Sequence, residues 1–180
     1  MAAKRQIALL RGINLGQVRR VAMPELREVL ARIGYGDVRT LVNSGNVVLT
    51  SGAAPGRLER DLEKAIAANL GVDTRVLVRT RDELADVIDR NPMRAEAAKP
   101  KQLHVSFLSA EPDPAVIEGL SGLDVAPERF AFTGREIYTW HPGGVGRSDL
   151  LQAIADNRIG VVSTRRNWNT VTKLLAMADE

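Results

Sequence analysis

Four short segments carry side chains whose types and spacing could do chemistry. The first is Arg11-Gly-Ile-Asn14-Leu-Gly16-Gln-Val-Arg19-Arg20. It follows an apolar run and leads to Met23-Pro24-Glu25, so glycine-turned backbone amides and a helix start would converge on one anion. Three arginines would complete the charge. The pattern G-x-N-x-G lacks the spacing of a dinucleotide fingerprint. The second segment, Asn43-Ser44-Gly45-Asn46, has the residue types of a tight turn. Ser44 as a nucleophile would need a base, and no histidine lies in that half. The third, His141-Pro-Gly143-Gly144-Val-Gly146-Arg147-Ser148, departs from G-x-x-x-x-G-K-[ST]. His141 stands at its first glycine, Arg147 replaces the lysine, and the segment follows a hairpin strand. What remains are the ingredients of an anion nest, with Ser148 as a helix N-cap. The fourth runs from Thr164 through Arg166-Asn167-Trp168-Asn169 to Lys173-Leu174-Leu175. Trp168, Val171, Leu174 and Leu175 share one helical stripe, which makes Trp168 a core residue. Asn167 and Asn169 suit capping or hydrogen bonding, and arginines beside an indole suit a planar anion.

Composition excludes more than it supplies. The chain has 180 residues, no cysteine and two histidines, His104 and His141. Thiol nucleophiles, disulfides and thiolate metal sites are therefore absent, no metal site is expected, and no cofactor is called for. His104 reads as a satisfied strand histidine and His141, before Pro142, as an exposed one. Glu59, Asp61, Glu63, Asp82, Glu83, Asp86 and Asp89 alternate with basic residues and read as solvated. No catalytic residue is nominated, so enzymatic activity stays undecided. Net charge is +3, but residues 1–100 carry 17 Lys+Arg against 12 Asp+Glu, and residues 101–180 carry 8 against 10. The balance points to no partner by itself. No apolar run reaches membrane-spanning length and no secretory leader is visible, so no membrane partner and a cytoplasmic location are expected.

The elements that must hold these segments follow from periodicity. Residues 7–11 read as a strand, 24–33 as an amphipathic helix stopped by Gly34, 37–42 and 47–50 as paired strands. Leu58, Leu62, Ile66 and Leu70 mark a second helix closed by Gly71, and 74–78 a further strand. That order, β-α-β-β-α-β, is the ferredoxin-like split βαβ pattern. It leaves one sheet face free to bind or to dock the second half. An RNA-recognition domain needs aromatics on that face, and only Tyr35 of the seven aromatics precedes residue 100. Further on, 82–90 reads as a helix, 94–102 as a mobile connection and 103–108 as a strand. A short helix follows to Leu120, then a hairpin of 130–133 and 137–140. A helix runs from Ser148 to about Ala155, and another from about Arg165 to Met177. No repeat of 20–50 residues is visible. The organisation expected is a ferredoxin-like subdomain (1–80), a helix and connection (81–102) and a smaller C-terminal α+β subdomain (103–180). The fold class is α+β.

Read together, Ala8-Leu-Leu-Arg11-Gly-Ile-Asn14-Leu-Gly16, Met23-Pro-Glu-Leu-Arg27, Asp37-Val-Arg-Thr40, Ser44-Gly-Asn-Val-Val48 and Arg166-Asn-Trp-Asn-Thr-Val171 resemble the domain-of-unknown-function 1697 family along essentially the whole chain. The resemblance implies a mostly bacterial α+β protein with a ferredoxin-like first part, and brings no established activity. It implies a polar signature at Arg11, Asn14, Ser44, Asn46, Arg147, Ser148, Arg166, Asn167, Trp168, Asn169 and Lys173. Two departures stand out. The family usually has Gly-Gly-Lys-Asn where this chain has Gly16-Gln17-Val18-Arg19, and a lysine where Asp149 follows Ser148. The second puts a carboxylate where a cation would strengthen an anion nest.

The functional expectation is a small anionic, phosphate-bearing ligand in a cleft between the subdomains, held by Arg11, Asn14, Arg147, Ser148, Arg166 and Asn169. Two readings compete: nucleic-acid binding through the basic N-terminal half, and a protein-interaction module. Oligomeric state is not set by the sequence.

Overall fold

A computed structural model describes residues 3–16, 19–146 and 148–180, and divides the chain into two compact units. Met1–Asp86 with Lys173–Glu180 form the first, and Val87–Thr172 the second. In the first unit the order is strand β1 (Lys4–Leu10), helix α1 (Met23–Arg32), strands β2 (Gly36–Leu41) and β3 (Asn46–Ser51), helix α2 (Pro55–Leu70) and strand β4 (Val76–Thr80). The sheet runs β2-β3-β1-β4 with every neighbour antiparallel. Both helices begin with proline in the first turn, where its missing N–H costs nothing. Gly71 closes α2 at φ 64°, a left-handed conformation that suits glycine. Ala8, Leu10, Val47, Leu49, Val76 and Val78 point at Leu26, Leu30, Leu58, Leu62 and Ile66 of the two helices and form the core.

The other sheet face, expected to bind something or to dock the second half, is buried and not open to solvent. Ile7, Leu9, Val48 and Leu77 are as fully buried as the core residues. The signal was in the sequence: Ile-Ala-Leu-Leu and Val-Val-Leu are continuous apolar runs, not the alternation of a half-solvated strand. The last turns of the final helix, α7 (Trp168–Asp179), also belong to this unit. Arg39 of β2 donates to the Met177 carbonyl and pairs with Glu180, and Arg81 pairs with Asp179.

Edge strand β4 has its outward amides closed by carboxylates. Val76 N donates to Glu63 Oε1 (2.9 Å), Val78 N to Glu59 Oε1 (2.8 Å) and Thr80 N to Glu83 Oε2 (2.8 Å). Glu59 and Glu63 stand one turn apart on α2, so one helix face serves alternate residues of the strand. These acids are therefore not the solvated residues their charge alternation implied. They fill an edge that would otherwise be open to strand pairing.

Helix α3 (Arg81–Asp89) carries the chain from one unit to the other, and Ala95–Ala98 form one 3-10 turn within the segment expected to be a mobile connection. The second unit contains strand β5 (Leu103–Leu108), helix α4 (Pro114–Ser121), strands β6 (Arg129–Thr133) and β7 (Glu136–Trp140), helices α5 (Asp149–Ala153) and α6 (Asp156–Ile159), and strand β8 (Ser163–Asn167). Its sheet runs β6-β7-β5-β8, again antiparallel throughout. Counting α5 and α6 as one interrupted helix, this is the β-α-β-β-α-β order and strand order of the first unit a second time.

Strand β8 is the main local correction. The sequence reading opens the last helix at about Arg165, whereas Thr164, Arg165 and Arg166 pair with Phe107, Ser106 and Val105 of β5 and the helix begins at Trp168. The apolar strand β5 recruits this polar stretch, and burial alternates along it. Asn167 Oδ1 accepts from Thr170 N at 2.9 Å, so the asparagine is the N-cap that marks the true helix start. Among the described residues no helix is long and apolar enough to cross a membrane.

Candidate functional site

In the first unit the loop between β1 and α1 is shaped by left-handed backbone at Gly12, Asn14, Gly16 and Arg19. Asn14 is its fastener. Its amide nitrogen donates to the Val21 carbonyl (2.9 Å) and the Asn43 carbonyl (2.6 Å), its Oδ1 accepts from Val21 N (2.8 Å), and its own N–H reaches the Arg19 carbonyl. One side chain thus ties the β1–α1 loop to the β2–β3 turn. The turn is stitched in the same way. Asn46, fully buried, donates to the Leu41 carbonyl and to Ser44 Oγ, and the Gly45 carbonyl accepts from Leu10 N. Ser44 is an exposed turn residue with its oxygen engaged by Asn46 and no histidine in its unit. Arg11 continues the β1 backbone, its N–H meeting the Arg75 carbonyl and its own carbonyl accepting from Thr74 Oγ1.

Beside this fastening lies a cleft of about 520 Å³ lined by Asn14, Gly16, Arg20, Val21, Ala22, Met23, Pro24 and Asn43. It opens on the N-terminus of α1, where Ala22 supplies no side-chain cap. A helix start leaves its first amide N–H groups without intrahelical acceptors, so donors and the positive dipole end face the cleft.

In the second unit the polar side chains gather on the helix-facing side of the sheet, beyond the apolar cluster of Leu108, Ile137, Leu150, Ile154 and Ile159. His141 is fully buried, not exposed as expected. Its Nδ1 meets Glu128 Oε1, and Nε2 meets Thr139 Oγ1 at 2.9 Å. Ser148 Oγ donates to Glu128 Oε2 (2.9 Å) and accepts from Leu151 N (3.1 Å), capping α5 as its position predicted. Serine, histidine and glutamate occur together here, yet the serine and the carboxylate crowd the same ring nitrogen, with Ser148 Oγ 3.3 Å from Nδ1. A catalytic triad needs them on opposite nitrogens. The arrangement is a buried structural network. Burial works to raise the Glu128 pKa, but hydrogen bonds from His141, Ser148 and the Leu150 amide together hold it below the ordinary carboxylate value.

His104 packs edge-on against His141, ring centroids 5.4 Å apart. Burial, then the charge of Arg165, lowers its pKa to about 4, which keeps the imidazole neutral near pH 7. Arg165 and Asn167 share its sheet face: Asn167 stands directly opposite His104, and Arg165 opposite Ser106. Arg166 points to the other face, opposite Val105. It is buried there with Nη1 on Thr164 Oγ1 and on the Arg165 carbonyl, and burial lowers its pKa to about 10.

The sequence-predicted residues therefore fall into distinct settings. Asn14, Ser44 and Asn46 fasten the β1–α1 loop and the β2–β3 turn of the first unit, while Arg11 has its backbone held by Thr74 and Arg75. Ser148 belongs to the buried network of the second, Asn167 caps α7, and Trp168 is 7% exposed, a core residue as read. Asn169 is half-buried in the first turn of α7, and Lys173 is exposed on the same helix. Arg147 lies outside the described residues. Sequence reasoning missed Glu128 and Thr139, and weighed Arg165 only as one of two arginines beside an indole, outside the candidate set. Nothing marked Glu128, because its partner His141 lies beyond the β6–β7 hairpin. Thr139 was passed over because His141 was read as exposed, and the strand setting of Arg165 was hidden by reading β8 as helix. Among the described residues no cluster of three histidines or acids could hold a metal ion.

Comparison with known proteins bears on the fold. The conserved bacterial protein SP0830 from Streptococcus pneumoniae has a similar structure, with a TM-score of 0.72 over 98% of this chain and 99% of that one, at 23% identity. No curated protein sequence matches the chain. A family model described as a protein of unknown function matches residues 3–138, most of the length and all of the β1–α1 loop, and the chain therefore belongs to the DUF1697 family.

Proposed function

We propose that the protein binds a small anionic, phosphate-bearing molecule in the cleft at the start of α1. The observation that carries this reading is the cleft itself. It has small-molecule size, Arg20 on its wall, and the uncapped N-terminus of α1 at its floor. Asn14 shapes the wall instead of touching the ligand, since its amide is spent inside the loop. The ligand's phosphate would meet the first amides of α1 and the Arg20 guanidinium, a charge-assisted pairing.

Isothermal titration with inorganic phosphate and with a nucleoside monophosphate tests the reading. Saturable binding to the whole chain is expected, weakened about tenfold or more by Arg20→Ala, the loss of one charge-assisted hydrogen bond. Absence of binding, or equal affinity in the variant, would contradict it. Tighter binding of a single-stranded oligonucleotide with a steep salt dependence would replace it with the nucleic-acid reading.

A further inference from the structure

We propose that the corner of the second unit formed by His104, Arg165 and Asn167 is a separate binding site for a phosphate group that still carries one proton. The three side chains share one face of the β5–β8 pair, and β8 is the edge strand of its sheet. Each brings unused capacity. The guanidinium of Arg165 is half-buried, yet no carboxylate among the described residues pairs with it. Asn167 spends Oδ1 on the α7 amide of Thr170, which leaves its two amide hydrogens without a partner among the described residues. His104 is 8% exposed, and its Nδ1 lies 3.3 Å from the Gln102 carbonyl. A carbonyl only accepts, so this contact assigns the ring hydrogen to Nδ1 and leaves a lone pair on Nε2.

The corner thus offers donors from Arg165 and Asn167 and one acceptor from His104. Its complement is a group with several acceptor oxygens and one O–H. Carboxylate and sulfate at neutral pH have oxygens but no hydrogen. Phosphate and phosphomonoesters, whose second proton leaves near pH 6 to 7, offer both. The start of α7, capped by Asn167, adds its positive dipole end at the same place. Behind the corner, His141 is locked by Glu128 and Thr139 and packs on the His104 ring, so the acceptor is held in position. The charged and titratable groups facing His104 are Arg165 and His141.

The chain has only two histidines, so the imidazole carbon-bound protons give two sets of NMR signals, assigned with His104→Gln. Inorganic phosphate, glycerol 3-phosphate and sulfate are titrated separately into the full chain at pH 7. Phosphate is expected to move the His104 signals saturably and to raise the His104 pKa from its value of about 4, with sulfate at least about tenfold weaker. A stronger response to glycerol 3-phosphate assigns the site to an organic phosphomonoester, and a stronger response to phosphate assigns it to the free ion. Arg165→Gln should abolish the response while leaving the His141 signals in place. Asn167→Ser keeps an N-cap oxygen but removes the amide donors, and should weaken the response. Stationary His104 signals up to about 20 mM phosphate, equal responses to sulfate and phosphate, or an undiminished response in both variants would overturn the proposal. Arg20→Ala should leave the His104 response unchanged, so this site and the α1 cleft succeed or fail separately.

Discussion

Single residues set the local geometry of both units, and Gly45 shows how narrowly. It sits at φ 74°, and a Cβ there would lie 2.6 Å from Leu10 Cβ and 2.9 Å from Ile13 Cδ1. Both the left-handed backbone and the packed neighbours oppose any side chain. Gly45→Ala is expected to lower unfolding free energy by about 2–5 kcal/mol in denaturant melts, strain and overpacking adding. An unchanged midpoint would mean that the turn rearranges freely. The turn itself was legible from Asn43-Ser44-Gly45-Asn46. That Leu10 and Ile13 press on it was not, because the contact joins different elements.

His104 supplies the second residue-scale expectation. Its pKa is about 4 in the fold against an ordinary 6.5, so between those values the unfolded chain takes up a proton and the folded chain does not. Stability must therefore fall as pH drops from 6.5 toward 4. Glu128 acts in the same direction at lower pH. Its depressed carboxyl stabilises the fold above the ordinary value, and that contribution is lost as pH falls through the folded one. Thermal melts in phosphate-free buffer should show Tm declining across this window, and less steeply in His104→Gln. Parallel slopes would show that His104 titrates normally.

At the level of elements, the closure of β4 explains how the first unit keeps an apolar edge strand from pairing with a neighbour. Removing Glu59 and Glu63 together leaves the Val76 and Val78 amides, on residues at most 1% exposed, without their acceptors. Glu59→Ala/Glu63→Ala should cost about 2–6 kcal/mol, about 1–3 for each unsatisfied donor. It should also make the protein associate with rising concentration on size-exclusion chromatography. A stable monomeric variant would show that water satisfies the edge.

Legibility differed between elements for a physical reason. Strong apolar periodicity and Pro/Gly punctuation marked α1 and α2, and continuous Val/Leu/Ile runs marked β1 and β3. Strand β8 has neither. Thr164-Arg165-Arg166 is extended because it lies against β5, a tertiary effect that overrides local propensity. The candidate residues at the β1–α1 loop were visible because glycine and asparagine there serve positive φ locally. The network of His141, Thr139, Glu128 and Ser148 was not, because it joins three segments of the chain.

For the whole molecule, the two units show one β-α-β-β-α-β order twice with different contents. The first packs aliphatic residues on both sheet faces, with Arg79 and Asn46 also buried on the face away from the helices, and the second places histidine, serine, threonine and arginine on its helix-facing side. The scarce histidines that argued against metal or triad chemistry both lie in the second unit, His104 on β5 and His141 just after β7. The modest net charge likewise resolves into individual arginines, Arg20 at the α1 cleft and Arg165 beside His104. The central claim is that the cleft at the start of α1 binds a phosphate-bearing anion. It is tested most directly by following backbone amide NMR signals while inorganic phosphate is added. Saturable shifts are expected at Gly16, Arg20, Met23 and Glu25, with the affinity weakened about tenfold or more by Arg20→Ala. Amide signals in this loop that stay fixed while phosphate binds elsewhere, or not at all, would contradict it.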